Sequence, residues 1–250
     1  MATTETPWCG MAAKKLYLQS GQFSATMRDS LDVSAVESEL ASIEWDGTNT
    51  VFCGSSGRKL YLQSGKFSAT LKDSESVSAL DSGGMNGVSF DSTNTPWSSD
   101  NTVASGANLM LQSGQFSATV KTSLEVGSTG LNIDTCTDIS YSEGNTPWCG
   151  GADDKLYLQS GQFSSIIKTS LSVGGVDTYP AGISWDGTNT PWSGDTGNKL
   201  YLQSGQFSAT IKTSLDISTI DTYPTGISTD DNNSRLNGAS SAFTPTAVIF

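Results

Sequence analysis

Apolar and polar residues alternate with a period of two in short runs, and the runs return along the chain. In Leu200-Tyr-Leu-Gln-Ser-Gly-Gln-Phe-Ser-Ala-Thr, Leu200 and Leu202 alternate with Tyr201 and Gln203, the pattern of a strand. Phe207, Ala209 and Ile211 then alternate with Ser208, Thr210 and Lys212, which predicts a second strand. Ser204-Gly205-Gln206 between them has tight-turn composition, because Gly accepts positive φ at little cost. The stretch predicts a β-hairpin, and it recurs almost letter for letter at 16–26, 60–70, 109–119 and 156–165. One hairpin cannot bury both of its faces, so five copies predict stacking of similar units.

Aligning the copies exposes a longer unit of four strands. In the fullest copy strand A is predicted over 183–186, strand B over 190–193, strand C over 199–204 and strand D over 206–213. Asp186-Gly187 and Asn189 are turn formers between A and B. Pro191 has no N–H, so strand B begins there or carries a bulge. Strand A recurs at Ile43, Val88, Ile139, Ile183 and Ile227, and the strand B aromatic at Trp8, Phe52, Trp97, Trp148 and Trp192. Strand C starts at Lys15, Lys59, Asn108, Lys155 and Lys199.

The two ends of the repeat array are out of phase. Thr6-Pro7-Trp8 is a strand B with no strand A before it, and Gly226-Ile227-Ser228 is a strand A with no Trp-bearing strand B after it. The two are complementary halves of one unit. A closed ring of five four-stranded blades, zipped shut around 226–228, accounts for this and removes the exposed sheet edges of an open array. The fold expected is therefore all-β, over residues 1–233, followed by a tail over 234–250.

The pattern GISWDGTNTPWSG…KLYLQSG resembles a β-propeller blade. Five units of this length resemble the five-bladed propeller of the tachylectin-2 type in architecture and repeat length, over about residues 6–230. The lectin's own sugar-contacting motif is not part of that resemblance. The wording of the repeat is also similar to uncharacterised phage and environmental repeats.

Loop lengths separate the two faces of such a ring. The step from strand A to the strand B aromatic is constant (Ile43 to Phe52, Ile183 to Trp192), as is that from strand C to the basic residue of strand D (Lys15 to Arg28, Lys199 to Lys212). The B–C and D–A links vary, most of all at 101–107 and 127–137. In an up-and-down blade those two links share one face. Insertions confined to one face mark a binding face or a surface that tolerates insertion, and both readings stand. Lys15, Lys59, Lys155 and Lys199 are expected there, together with Arg28, Lys72, Lys121, Lys168 and Lys212. Acids of the D–A loops (Asp32, Glu37, Asp81, Asp177, Asp216, Asp221) would sit nearby as solvated ion pairs.

Composition removes whole classes of function. The net charge of −12 disfavours nucleic acid. With no histidine there is no Ser–His–Asp triad and no His-ligated zinc. No run approaches 18 apolar residues, so no membrane insertion is expected, and the N-terminus lacks the shape of a signal peptide. Cys9, Cys53 and Cys149 share a slot with Ser98 and Ser193, a small-residue packing position; Cys136 lies outside the pattern and could face Cys149 across a hairpin.

Candidate chemistry is sparse. Trp97, Trp148 and Trp192, near Asp186 and Asn189, could form a sugar platform, or the tryptophans could pack between blades. Asp46, Asp91 and Asp186 lack the distinct environments that acid/base pairs require. No metal, cofactor, phosphate loop or nucleophile elbow is expected; the acidic stretch at 229–233 lacks the Gly and distal Glu of a calcium loop. The tail ends in apolar residues, and Phe243, Val248, Ile249 and Phe250 could dock on a partner as an added strand. The function expected is non-enzymatic: a binding or structural module on a larger assembly such as a virion or extracellular surface appendage. Its partner is an assembly protein or a glycan, and a homo-oligomer is allowed. The alternative is a free multivalent lectin with repeated inter-blade sites.

Overall fold

The computed structural model describes residues 5–229 except 21–23, 25, 47, 66–67, 81–82, 92, 102–105, 115–118, 127–134, 142–144 and 162–165, and the side chains at 100, 101, 106 and 149. Residues 230–250, including Phe243, Val248, Ile249 and Phe250, lie outside it. Twenty strands form five four-stranded antiparallel sheets. Blade I holds β20 (Pro224–Ile227), β1 (Thr6–Gly10), β2 (Lys15–Gln19) and β3 (Met27–Asp32). Blade II runs β4 (Leu40–Trp45), β5 (Thr50–Gly54), β6 (Lys59–Gln63), β7 (Leu71–Ser76). Blade III runs β8 (Gly84–Val88), β9 (Thr95–Asn101), β10 (Gly106–Gln112), β11 (Val120–Glu125). Blade IV runs β12 (Asp138–Ile139), β13 (Thr146–Gly150), β14 (Lys155–Gln159), β15 (Ile167–Ser172). Blade V runs β16 (Pro180–Ile183), β17 (Thr190–Gly194), β18 (Lys199–Gln203), β19 (Ile211–Asp216).

This is a five-bladed β-propeller. It closes as the phase shift requires: β20 pairs β1 with Trp8 opposite Ile227 and Cys9 opposite Gly226, and the Ser228 N–H donates to the Pro7 carbonyl at 2.8 Å.

The core is five packets, each shared by two neighbouring blades. One face of a blade presents the strand B aromatic stacked on the strand C tyrosine. Trp8 lies on Tyr17, Phe52 on Tyr61, Trp148 on Tyr157 and Trp192 on Tyr201, with centroids 4.1–4.7 Å apart. In blade III Met110 takes the place of the tyrosine opposite Trp97. The opposite face presents the two strand C leucines, so Trp8 and Tyr17 pack on Leu200 and Leu202 of blade V. Burying such a leucine contributes about 1.5–3 kcal/mol, which is why the repeat phrase keeps them.

Strand D departs from the period-2 expectation. In blade V it starts at Ile211, with Gln203 opposite Ile211 and a bulge beside it. The Ser204 N–H closes a loop onto the Thr210 carbonyl at 2.8 Å. Gly205 (φ 65°) and Phe207 (φ 60°) are both left-handed, and Phe207 lies in the core between blades IV and V. The alternation of Phe207, Ala209 and Ile211 therefore belongs to a loop that covers the core. This late start moves Lys212 to the face opposite Lys199, beside the A–B turn, where its Nζ donates to Asn189 Oδ1 at 3.2 Å. Arg28, Lys72, Lys121 and Lys168 hold the same place in their strands, so the basic residues form two rings on opposite faces. Strand A is also displaced: β16 ends at Ile183, where it was expected to begin.

Cys9, Cys53 and Cys136 are buried thiols, and Cys136 Sγ donates to the Asp138 carbonyl at 3.7 Å, so Cys136 does not form the bridge left open for it. Burial pushes the Cys9 thiol up to about 12, and Cys53 rises for the same reason.

Candidate functional site

Trp97, Trp148 and Trp192 have no exposed area. They pack between blades, so none of them offers a ring face to a ligand. Asp186 and Asn189 serve the A–B turn. Asp186 Oδ1 accepts from the N–H groups of Thr188 and Asn189, and Asn189 Nδ2 donates to Asp186 Oδ2. Asp46 with Asn49 and Asp91 with Asn94 repeat this arrangement. There the Asn amide oxygen also accepts from the C–D turn, from Gly65 N–H at 3.3 Å and Gly114 N–H at 3.2 Å. These side chains staple two turns together.

The D–A acids are not solvated ion pairs in three blades. Glu37, Asp177 and Asp221 are 3–4% exposed, and each reaches under the B–C turn of the blade it enters. Asp221 accepts from Ala13 N–H at 3.0 Å and from the Tyr17 hydroxyl at 3.4 Å. Glu37 accepts from Gly57 N–H and Tyr61, and Asp177 from Gly197 N–H and Tyr201. A Cβ on Gly10, Gly54 or Gly194 would fall 2.1–2.2 Å from the acid, so glycine is required beside it. Burial first, then the neighbouring acid, pushes Tyr17, Tyr61 and Tyr201 up to about 12.

The innermost strands meet at the axis, and they do so through one slot. Gly226, Ser42, Gly87, Asp138 and Gly182 occupy it in the five blades. A Cβ on Gly226 would lie 2.6 Å from Ser42 Cα, on Gly182 2.8 Å from Gly226 Cα, and on Gly87 2.7 Å from Asp138 Cα. Three glycines leave room for one carboxylate. Asp138, 1% exposed, reaches past blade III: Ser42 Oγ of blade II donates to its Oδ1 at 2.7 Å, and Ile183 N–H of blade V to its Oδ2 at 2.8 Å. Burial drives its carboxyl well above the usual range, while these donors pull the other way. The side chain closes the axis like a floor.

Above that floor opens a funnel of about 140 Å³, on the face that carries the B–C and D–A links. All five blades line it. Its lower wall is Thr225, Ala41, Asn86, Thr137 and Ala181; its lip carries Tyr223, Tyr179 and Glu39, with Met11 and Ser55 from the B–C turns. Three lower-wall side chains latch the blades: Thr225 Oγ1 donates to Leu40 O, Asn86 Nδ2 to Cys136 O and Thr137 Oγ1 to Pro180 O, at 2.7–3.1 Å. Tyr223 is hydrogen-bonded to the Asp195 carboxylate; burial and then Asp195 raise the Tyr223 hydroxyl, and burial raises Asp195. Tyr179 lies against Gly151, where a Cβ would meet its ring at 2.7 Å.

Sequence reasoning missed this funnel. The signal is the slot three residues before the axial one, which reads Tyr223, Glu39, Gly84, Thr135 and Tyr179. It holds an aromatic residue in two blades, a carboxylate in one and a small residue in the other two. Among the described residues no group of three or more His, Cys, Asp or Glu is placed to hold a metal ion.

No family model and no curated protein matches the chain. Solved structures share its fold. A chain of a nidogen/laminin complex is 10% identical with a TM-score of 0.56, over 91% of this chain and 98% of that one. A luciferin-regenerating enzyme is 16% identical with a TM-score of 0.53, over 90% of this chain and 78% of that one. A functionally unknown protein of Desulfotomaculum acetoxidans DSM 771 is 9% identical with a TM-score of 0.46, over 84% of this chain and 65% of that one, so this chain spans under two thirds of its length. At these identities the likeness to the first two is one of fold alone. The propeller-type neighbours include enzymes and non-enzymes.

Proposed function

We propose that the chain is a non-enzymatic recognition module that takes the end of a glycan into the axial funnel. The observation that carries this is the convergence of two tyrosine rings, Tyr179 and Tyr223, on a lower wall whose latches hold the Thr137, Thr225 and Asn86 donors and leave the Asn86 amide oxygen outside them. Aromatic rings stack on the C–H face of a sugar while hydroxyl and amide groups bond its hydroxyls. The funnel is smaller than the ~300–1,000 Å³ of pockets that enclose a whole drug-sized ligand. It suits one terminal ring, with the rest of the chain leaving over the lip.

Catalysis has little support in the same residues. Glu39 is exposed at the lip and Asp138 is sealed in the floor, so among the described residues the funnel presents one carboxyl to a ligand and not a flanking pair. Display on a larger assembly, a virion or surface appendage, is the setting that the wording of the repeat favours. The funnel reading does not depend on it.

A glycan array followed by calorimetry tests the proposal. The wild-type chain is expected to bind, and the double variant Tyr179→Ala/Tyr223→Ala to lose at least about tenfold in affinity while still unfolding in one cooperative transition. Absence of glycan binding by the wild type, or unchanged binding by the double variant, overturns the reading.

A further inference from the structure

We propose, building on the funnel as a glycan site, that it selects a sugar end carrying a positive charge, an amino sugar with a free ammonium group, and that Glu39 is the specificity-determining residue. Glu39 is the one charged side chain lining the funnel among the described residues. Its carboxylate accepts no hydrogen bond from any described residue, whereas the nearby acids Glu37, Asp177 and Asp221 are spent on the B–C turns.

The lip is aromatic on the side next to Glu39. Tyr179, Tyr223 and Glu39 come from blades V, I and II, which are consecutive around the ring. An ammonium group over a tyrosine face is attracted by the ring quadrupole. The Tyr223 hydroxyl donates a hydrogen bond to the Asp195 carboxyl, which leaves the ring richer in electrons.

Among the described residues no cation lines the funnel. Lys14 and Arg58 stand in the B–C turns that also carry Met11 and Ser55, and the other basic residues of this face stand at the start of strand C. Lys15 is opposite Asp32 and Lys199 opposite Asp216; hydrogen bonds from Ser34 and Ser218 hold those two carboxyls below the usual range, and the lysines add to it. The other ring of basic residues lies on the far face. A carboxylate or sulfate on the ligand would meet Glu39 within a funnel that no basic side chain lines, and the net charge of −12 adds to the penalty.

The test compares the methyl glycosides of glucosamine, N-acetylglucosamine, glucose and glucuronic acid at pH 6, by calorimetry or ligand-observed NMR, on the wild-type chain and on Glu39→Gln. The amino sugar is expected to bind wild type about tenfold more tightly than its N-acetyl form, the magnitude of an ammonium over an aromatic face beside a carboxylate. Glucuronide should bind least. In Glu39→Gln, an exposed position that leaves the fold intact, the preference of amino sugar over glucose and over the N-acetyl form, taken as a ratio within the variant, should fall to about twofold or less. Equal binding of amino and N-acetyl sugars, or a preference that survives Glu39→Gln, overturns the charge selection and leaves the glycan site standing. If none of the four sugars binds, both proposals fall.

Discussion

Gly226→Ala is the sharpest perturbation of the axial contact. The added methyl would stand 2.6 Å from Ser42 Cα, 2.8 Å from Ile43 N and 3.0 Å from Cys9 Sγ. Carbon atoms rest at about 3.5–4.0 Å, so blades I and II must part by roughly 1 Å at the axis. Two of the three obstacles are backbone atoms held in ladders, and Cys9 is itself buried. Overpacking of a rigid site costs ~1–3 kcal/mol, and the upper end applies here because parting the blades also stretches the Thr225 to Leu40 latch. For a domain of this size that is a fall of about 5–10 °C in the unfolding midpoint. Gly175→Ala is the matched control, since nothing lies within 4 Å of its added methyl. It should be neutral or stabilise by ~0.4–1 kcal/mol through the unfolded chain. Both variants are to be unfolded side by side by calorimetry. If Gly226→Ala melts with Gly175→Ala, the blades do not meet through these glycines and the account of the axis is wrong.

Asp221→Ala leaves the Ala13 N–H and the Tyr17 hydroxyl without their acceptor at the blade that closes the ring. It should cost about 2–4 kcal/mol in urea unfolding, and an effect under 0.5 kcal/mol would remove the acid from the closure. Asp138 titrates higher in the folded chain than in the unfolded one. The folded state therefore binds the extra proton, and the stability that Asp138 contributes is full below the ordinary carboxyl range and is lost as pH rises through its folded value. Subtracting Asp138→Asn from wild type across pH 4–8 should show that decline; a difference that is flat or rises with pH contradicts it.

The phase of the ends made ring closure legible, because Thr6-Pro7-Trp8 and Gly226-Ile227-Ser228 are halves of one unit. Strand D was less legible. Phe207 sits in a period-2 run, yet its left-handed backbone turns it into a loop plug, and alternation alone does not register backbone sign. That one error also carried Lys212 to the wrong face. Glu37, Asp177 and Asp221 resembled solvated charges because burial under a turn depends on contacts across the blade, although Gly10, Gly54 and Gly194 were the sequence trace of it. The funnel was hidden by the method that exposed the ring. Aligning repeats averages their differences, and the lip consists of those differences: one slot holds tyrosine at Tyr223 and Tyr179 and a carboxylate at Glu39.

The central claim is recognition at the axis rather than between blades, and stoichiometry tests it most directly. Titrating the wild-type chain calorimetrically with the methyl glycoside that binds most tightly should give close to one ligand per chain. Near five per chain would place recognition at the repeated inter-blade positions and contradict the axial site.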